Sequence, residues 1–130
     1  MVKVFSIRFT EHAEKQLKNI TERNKMVKAL MEKAFTTLQS INIRDALKAK
    51  KIKIVSGLSG KSINFIKKIN CEPIVFEYRN FPKNYPYRIY FIKCKNTLLL
   101  LRIFHHQDIK KKLAKKLNDS IESLKYMKLK

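Results

Sequence analysis

Hydrophobic positions in the N-terminal third of the chain first alternate with polar ones and then follow a helical period. Residues 2–9 alternate and predict a first β-strand. Thr10 is a favourable N-cap, and Glu11 and Glu14 suit the first turn of a helix. A second helix is predicted over residues 24–40, and its apolar face comprises Val27, Leu30, Met31, Ala34, Phe35 and Leu38. The two helices are therefore predicted to form a hairpin.

The middle of the chain consists of short apolar runs separated by turn residues. Three short strands are predicted, at residues 51–55, 63–69 and 74–78. Residues 56–60 hold both glycines of the chain and predict a turn, whereas residues 41–51 follow neither period and stay unassigned. Residues 80–86 predict a loop, because proline removes a backbone donor and restricts the residue before it.

Two strand-forming runs, residues 86–93 and 97–106, flank the short polar turn Cys94-Lys95-Asn96 and predict a β-hairpin. A final helix is predicted from about residue 108 to residue 127. Its apolar stripe comprises Ile109, Leu113, Leu117, Ile121 and Leu124. This stripe has to be buried, and we expect it to pack on the chain's own sheet rather than in a partner's groove.

These elements predict one α+β domain over residues 1–130. In it, an N-terminal strand and a helical hairpin pack on a mostly antiparallel sheet, and residues 107–128 form a C-terminal helical extension. The hydrophobic fraction of 45% suits a globular domain. No apolar run reaches the roughly 18 residues that span a bilayer, and no secretory signal is evident, which predicts a cytoplasmic protein. Cys71 and Cys94 lack CxxC spacing and are predicted to be plain buried thiols.

The charge balance points to a polyanionic partner. Thirty basic residues against ten acidic ones give a net charge of +20, which favours nucleic acid. Because lysine far outnumbers arginine, the A+T content of a coding sequence could account for part of this excess. An anionic membrane surface is the alternative, but it would need a basic amphipathic helix as an anchor.

Two histidines and three arginines are the candidates for chemistry. His105 and His106 follow a strand, where one of two neighbours points away from the core, so one of them could move a proton near neutral pH. The alternative is one packed and one solvated ring. A metal site is not predicted, because only His12 could add a third imidazole. Three of the six arginines lie around the predicted sheet and suit two-pronged phosphate contacts: Arg79, Arg88 and Arg102. The alternative for Arg88 is an ordinary solvent-facing strand residue.

Two further patterns in the sequence bear on ligand binding. Gly57-Leu58-Ser59-Gly60-Lys61-Ser62 has two residues between its glycines where a phosphate loop has four, so nucleotide binding is not predicted. Five aromatic residues are interleaved with the basic ones and could stack RNA bases or fill the core. They are Tyr78, Phe81, Tyr85, Tyr87 and Tyr90.

The order of several short motifs resembles the RelE/ParE superfamily, the toxins of bacterial type II toxin–antitoxin systems. Residues 7–17 resemble the opening strand and first helix of that family. Phe76-Glu77-Tyr78-Arg79 and Tyr87-Arg88-Ile89-Tyr90-Phe91 resemble its central strands, and residues 99–106 its last strand. The resemblance implies a small RNase-like fold whose sheet cups a positively charged site.

The resemblance also implies roles for individual residues. The family's endonucleases contact the scissile phosphate with the arginine that matches Arg88, and basic residues upstream correspond to Arg79 and Lys83. A catalytic histidine or arginine lies after the last strand, where His105 and His106 stand here. The lysine-rich C-terminus departs from the family pattern, and no residue clearly matches the C-terminal tyrosine or the glutamate base of some members.

The expected function is therefore a toxin that cleaves mRNA at the ribosome, without metal or cofactor, and that pairs with a cognate antitoxin in a hetero-oligomer. The 2′-hydroxyl would attack the phosphate, Arg88 and Arg79 would stabilise the transition state, and His105 or His106 would move the proton. RNA contacts are expected from Lys83, Arg102, Lys110, Lys111 and Lys112, and further from Lys115 and Lys116. The alternatives are a gyrase-inhibiting toxin and a non-catalytic basic nucleic-acid-binding protein.

Overall fold

The computed structural model describes residues 4–109 and 112–124, and it confirms the predicted α+β fold. Five strands form one mixed sheet in the order β1-β5-β4-β3-β2. The strands are β1 (Ser6–Phe9), β2 (Ile52–Val55), β3 (Val75–Tyr78), β4 (Tyr87–Cys94) and β5 (Thr97–His105). β1 pairs with β5 in parallel and the other pairs are antiparallel, so the predicted mostly antiparallel sheet is confirmed.

The predicted helical hairpin is present and both of its helices are capped. The helices of the domain are α1 (Glu11–Glu22), α2 (Lys25–Gln39), α3 (Ile43–Lys48), α4 (Gly60–Lys68), α5 (His106–Ile109) and α6 (Leu113–Ser123). The Thr10 side chain accepts from the backbone N–H of Ala13, and the Asn24 side chain accepts from Met26 and Val27. Helix α3 fills the segment that the sequence left unassigned.

The strand predicted at residues 63–69 is wrong, because this segment belongs to helix α4. Ser59 caps the helix by accepting from the backbone N–H of Ser62, and Ile66 is buried beneath it. A short apolar run bounded by glycine fits a strand as well as a buried helix. Since the correct period is helical, Gly57 precedes the helix and Gly60 is its first residue, so the predicted turn leads into a helix instead of a strand.

The two faces of the sheet bury separate clusters. Helices α1, α2 and α3 cover one face, whose core includes Met31, Leu38 and Phe91. Helices α4 and α6 cover the second face, whose core includes Tyr90 and Ile92. None of the helices in the part of the chain that the structure describes is long and apolar enough to cross a membrane.

The C-terminal apolar stripe packs on the chain's own sheet, as expected. Leu117 and Ile121 are fully buried against the second face, and Leu113 and Leu124 are partly buried beside them. The prediction of one helix beginning near residue 108 is wrong at its start, since α5 ends at Ile109 and α6 begins at Leu113. Lys110, Lys111 and residues 125–130 lie outside the described residues, as does the side chain of Ile109.

An irregularity in β5 determines which residues face α6. Tyr90 pairs with Arg102 but Phe91 pairs with Leu100, so β5 contains an extra residue at this point. The side chains of Leu101 and Arg102 consequently both lie on the second face. Where β5 extends beyond β1, side chains at the start of α1 and within it bind the backbone groups of β5. The Thr10 hydroxyl donates to the Leu101 carbonyl, and the Ile103 N–H donates to the Gln16 side chain.

Cys71 and Cys94 form a disulfide, so the prediction of free thiols is wrong. The backbone of β4 continues to pair just before β3, where the Glu72 N–H donates to the Lys93 carbonyl at 3.0 Å and the two side chains form a salt bridge of 2.6 Å. This pairing brings the two cysteines together. The absence of CxxC spacing gave no indication of it. A disulfide is uncommon in reducing compartments, and the cytoplasmic location stays a prediction.

Reduction of this disulfide is expected to lower the free energy of unfolding by about 3 kcal/mol, because the bond closes a loop with a sequence separation of 23 residues. Urea unfolding with and without a reducing agent measures the difference. The control is a Cys71→Ser/Cys94→Ser double variant, whose unfolding should not respond to the reducing agent. Identical unfolding of the wild-type chain in both buffers would contradict this prediction.

Candidate active site

The register of three adjacent strands assembles a polar cluster on the second face of the sheet. Glu77 on β3 pairs with Tyr90 on β4, and Tyr90 pairs with Arg102 on β5. Arg88 lies two residues before Tyr90, so the two side chains share a face. Arg79 follows the end of β3, two residues after Glu77. The cluster is defined here as Glu77, Arg79, Arg88 and Tyr90.

Tyr90 is the buried centre of this cluster. Its side chain is fully buried, and its hydroxyl donates to Oε2 of Glu77 at 2.7 Å. Burial, and then the hydrogen bond to Glu77, raise the pKa of the Tyr90 phenol far above its usual range, whereas the charges of Arg88 and Arg79 act in the opposite direction. The phenol therefore remains a donor at neutral pH and fixes the Glu77 carboxylate in one orientation.

Arg79 approaches the same carboxylate from the solvent side. Its Nε lies 3.5 Å from Oε1 of Glu77, and the Arg79 side chain is 45% exposed while that of Glu77 is 15% exposed. The two oxygens of Glu77 thus have different neighbours, a buried phenol and an accessible guanidinium. A carboxylate has about four lone-pair positions, so Glu77 can accept a further hydrogen bond.

Backbone carbonyls hold Arg88 in place. Its Nη1 donates to the carbonyls of Tyr85 and Tyr87, each at 2.9 Å, and its side chain is half-buried. Both bonds use one nitrogen, and within the described part of the chain Nε and Nη2 make no hydrogen bond. A fixed guanidinium with one unengaged edge suits an anion that presents two oxygens.

The two histidines lie on the other face of the sheet from Arg88. His105 pairs with Tyr87, and the two rings meet edge to face with centroids 5.5 Å apart. The His105 ring also borders a cavity beside Gln16 and Ile20 of α1. The ring of His106, which is exposed, stacks on that of His105 at 4.9 Å, so the expectation that they face opposite ways is wrong. The chain turns into α5 at His106, which ends the alternation of the strand.

A backbone contact fixes the tautomer of His105. The N–H of Gln107 donates to Nδ1 of His105 at 3.2 Å, so the neutral ring carries its proton on Nε2. This imidazole can donate a proton on the face covered by α1. The catalytic role of His105 and His106 stays a prediction, but the structure does not bring either ring into the cluster around Tyr90.

The remaining predicted RNA contacts are not all in one place: Arg102 adjoins the cluster through its pairing with Tyr90, whereas Lys83 lies elsewhere. Lys83 is exposed and lines a groove of about 830 Å³ between the loop before β4 and the α1–α2 turn, and Arg88 is not among the residues that line it. Arg102 lies on the second face beneath α6. Lys112 is exposed just before α6, while Lys110 and Lys111 lie outside the described residues.

The aromatic residues pack on one another instead of offering free rings. Phe81 stacks on Tyr85 with centroids 4.3 Å apart and meets Tyr78 edge to face at 5.2 Å. Tyr85 in turn contacts Tyr87. Tyr78, Tyr85 and Tyr90 are all buried. The core interpretation of these aromatics therefore holds for the three tyrosines, and base stacking on them is not available in this structure.

Sequence reasoning missed the importance of Glu77 and Tyr90. A usable signal was present, because Phe76-Glu77-Tyr78-Arg79 places the carboxylate and the guanidinium on one face of a strand. The register with β4 was also needed to put the Tyr90 phenol beside them. Within residues 4–109 and 112–124 no three His, Cys, Asp or Glu side chains are grouped to hold a metal ion. Comparison with family models, curated proteins and solved structures found no match.

Proposed function

We propose that this chain is a toxin of the RelE/ParE kind that cleaves mRNA at the ribosome. The observation that carries the proposal is the convergence of one carboxylate and two guanidinium groups around the Tyr90 phenol. RNA cleavage by its own 2′-hydroxyl needs a proton acceptor for that hydroxyl and fixed positive charge for the phosphate. The net charge of +20 favours RNA as the partner, either the mRNA or the ribosomal RNA.

In this proposal Glu77 accepts the proton of the 2′-hydroxyl as its oxygen bonds to phosphorus. The bond from phosphorus to the 5′ oxygen breaks, that oxygen takes up a proton from water, and the proton on Glu77 passes to the hydroxide that remains. The products are a 2′,3′-cyclic phosphate and a 5′-hydroxyl end. Arg88, assisted by Arg79, stabilises the extra negative charge on the phosphate oxygens during the transfer. Tyr90 is a positioning residue, because it acts on the substrate only through Glu77.

Incubation of the purified protein with ribosomes that carry a defined mRNA tests this function. We expect cuts within the ribosome-bound message, with cyclic phosphate at the new 3′ ends, and much slower cleavage by Glu77→Gln. A parallel assay with DNA gyrase measures supercoiling. Intact mRNA together with loss of supercoiling would identify a gyrase poison, and intact mRNA with tight RNA binding would identify a non-catalytic RNA-binding protein.

The proposal includes a cognate antitoxin as a second protein partner. Co-expression with the product of the neighbouring gene should relieve growth arrest, and the two chains should co-purify as a hetero-oligomer. Toxicity that no neighbouring gene product relieves would argue against a two-gene system while leaving the cleavage chemistry open to the ribosome assay.

The histidines provide a test of the proton acceptor. A His105→Ala/His106→Ala double variant should keep ribosome-dependent cleavage within about tenfold of wild type, since a general acid or base contributes roughly 10²–10⁴-fold. Cleavage rates at saturating ribosome concentration are compared with those of Glu77→Gln. If the double variant is the inactive one, proton transfer belongs to the histidines, as the sequence resemblance implies.

A further inference from the structure

Arg102 is a half-buried cation whose hydrogen-bonding capacity is poorly used. Its Nη1 donates to the Ser120 hydroxyl of α6 at 3.4 Å, a long contact, and its buried Nε has no partner within the described structure. No described carboxylate forms a salt bridge with it, although Asp119 acts on it at longer range. A guanidinium has five N–H donors, so this one lacks acceptors.

A second cation lies beside the same aromatic ring. The guanidinium carbon of Arg102 lies 4.9 Å from the centroid of Phe104, and Nζ of Lys116 on α6 lies 5.5 Å from it. The Phe104 ring is buried and contacts Tyr90 edge to face at 5.5 Å. Two positive charges therefore meet at the junction of β5 and α6, directly next to the cluster around Tyr90.

The register fixes how far this pair lies from Arg88. Arg88 pairs with Phe104, and Arg102 is two residues earlier on β5, on the same face. Such diagonal neighbours in an antiparallel pair have Cα atoms about 7–8 Å apart. This spacing is comparable with that of consecutive phosphates in a single RNA strand, so a strand whose one phosphate meets Arg88 can bring the next to Arg102.

We propose that Arg102 and Lys116 form a second phosphate subsite, one nucleotide away from the phosphate held by Arg88. The inference rests on the proposed function for the identity of the ligand as RNA. It adds a substrate requirement, namely that the smallest well-bound ligand carries two consecutive phosphates. Phe104 supports the subsite by holding both cations over its ring face.

Binding of short, uncleavable oligonucleotides tests the subsite. Three 2′-O-methyl dinucleotides are compared: one with its internal phosphate only, one with an added 5′-phosphate and one with an added 3′-phosphate. One added phosphate should strengthen binding to the wild-type chain about tenfold or more, the size of a charge-assisted contact. Arg102→Gln should abolish that gain, whereas Arg44→Gln, which removes the same charge from exposed α3, should keep it.

Two further measurements keep the outcome decisive. Arg102→Lys preserves the charge and most of the stem, so it should fold and retain only part of the gain, because an ammonium lacks the planar fork. Equal gains in wild type and Arg102→Gln, or no gain in wild type, would overturn the subsite. The ribosome assay with defined mRNA reports separately on cleavage: a phosphate gain together with intact ribosome-bound mRNA would leave the subsite standing and reject the proposed function.

Discussion

Replacing Arg88 with alanine is expected to reduce ribosome-dependent mRNA cleavage by about 10²–10³-fold, the usual effect of removing one preorganised donor to a developing negative charge. Growth arrest on expression should disappear in parallel. The reason is geometric: two backbone carbonyls hold Nη1 of Arg88 in place, so the rest of the guanidinium is oriented before RNA arrives. The measurement is the single-turnover cleavage rate of a defined mRNA on ribosomes.

Two matched variants separate this role from charge and stability. Arg88→Lys keeps the charge, but its cleavage rate should still be strongly reduced. A single ammonium cannot donate to both backbone carbonyls and also bind two phosphate oxygens. Arg44→Ala removes the same charge from exposed α3 and should cleave at the wild-type rate. Thermal unfolding of Arg88→Ala shows whether the loop that it supports is intact. A folded, fully toxic Arg88→Ala protein would remove this residue from the site.

Changing Glu77 to glutamine is expected to lower the cleavage rate by about 10²–10⁴-fold, because the amide cannot accept a proton from the 2′-hydroxyl. The change is nearly isosteric, and the amide oxygen can still accept from the Tyr90 hydroxyl, so the fold should be retained. RNA binding should weaken little, which makes the rate constant at saturation the informative quantity.

The control for Glu77 is Glu72→Gln, which removes the same charge from a residue paired with Lys93 at the opposite end of β3. This variant should cleave normally. Normal cleavage by Glu77→Gln would show that the carboxylate is a structural partner of Tyr90 and Arg79 rather than a base. The cluster would then serve to orient Arg79 alone.

The sequence predicted the class of fold and most of its elements because their signals are local. The caps at Thr10 and Asn24, the period of α2 and the polar turn between β4 and β5 each lie within a few residues. The C-terminal apolar stripe also predicted its own burial. Exposing Leu117 and Ile121 to water would cost more free energy than packing them on the sheet. Helix α4 was missed because its apolar residues, Ile63, Phe65 and Ile66, fit both the strand period and the helical period.

The candidate site was predicted only in part, because it depends on strand register. Arg88 and Arg79 could be selected from the sequence as arginines in a lysine-rich chain. The position of His105 relative to Arg88 could not be predicted. Successive strand residues lie on opposite faces of the sheet, and the pairing of Tyr87 with His105 determines on which face His105 lies. The disulfide and the contact of both Arg102 and Lys116 with the Phe104 ring join residues of different elements, so local patterns do not predict them.

The parallel pairing of β1 with β5 has a consequence for the order in which the domain assembles. Ser6 pairs with Thr97 and Phe9 with Leu100, so the first strand joins the sheet through the last one. During synthesis, β2, β3 and β4 can associate as neighbours, but β1 has no partner until β5 has left the ribosome. Contacts between such distant segments slow folding. A nascent chain therefore completes its sheet, and with it the β4–β5 surface beside Arg88, only after β5 has been translated.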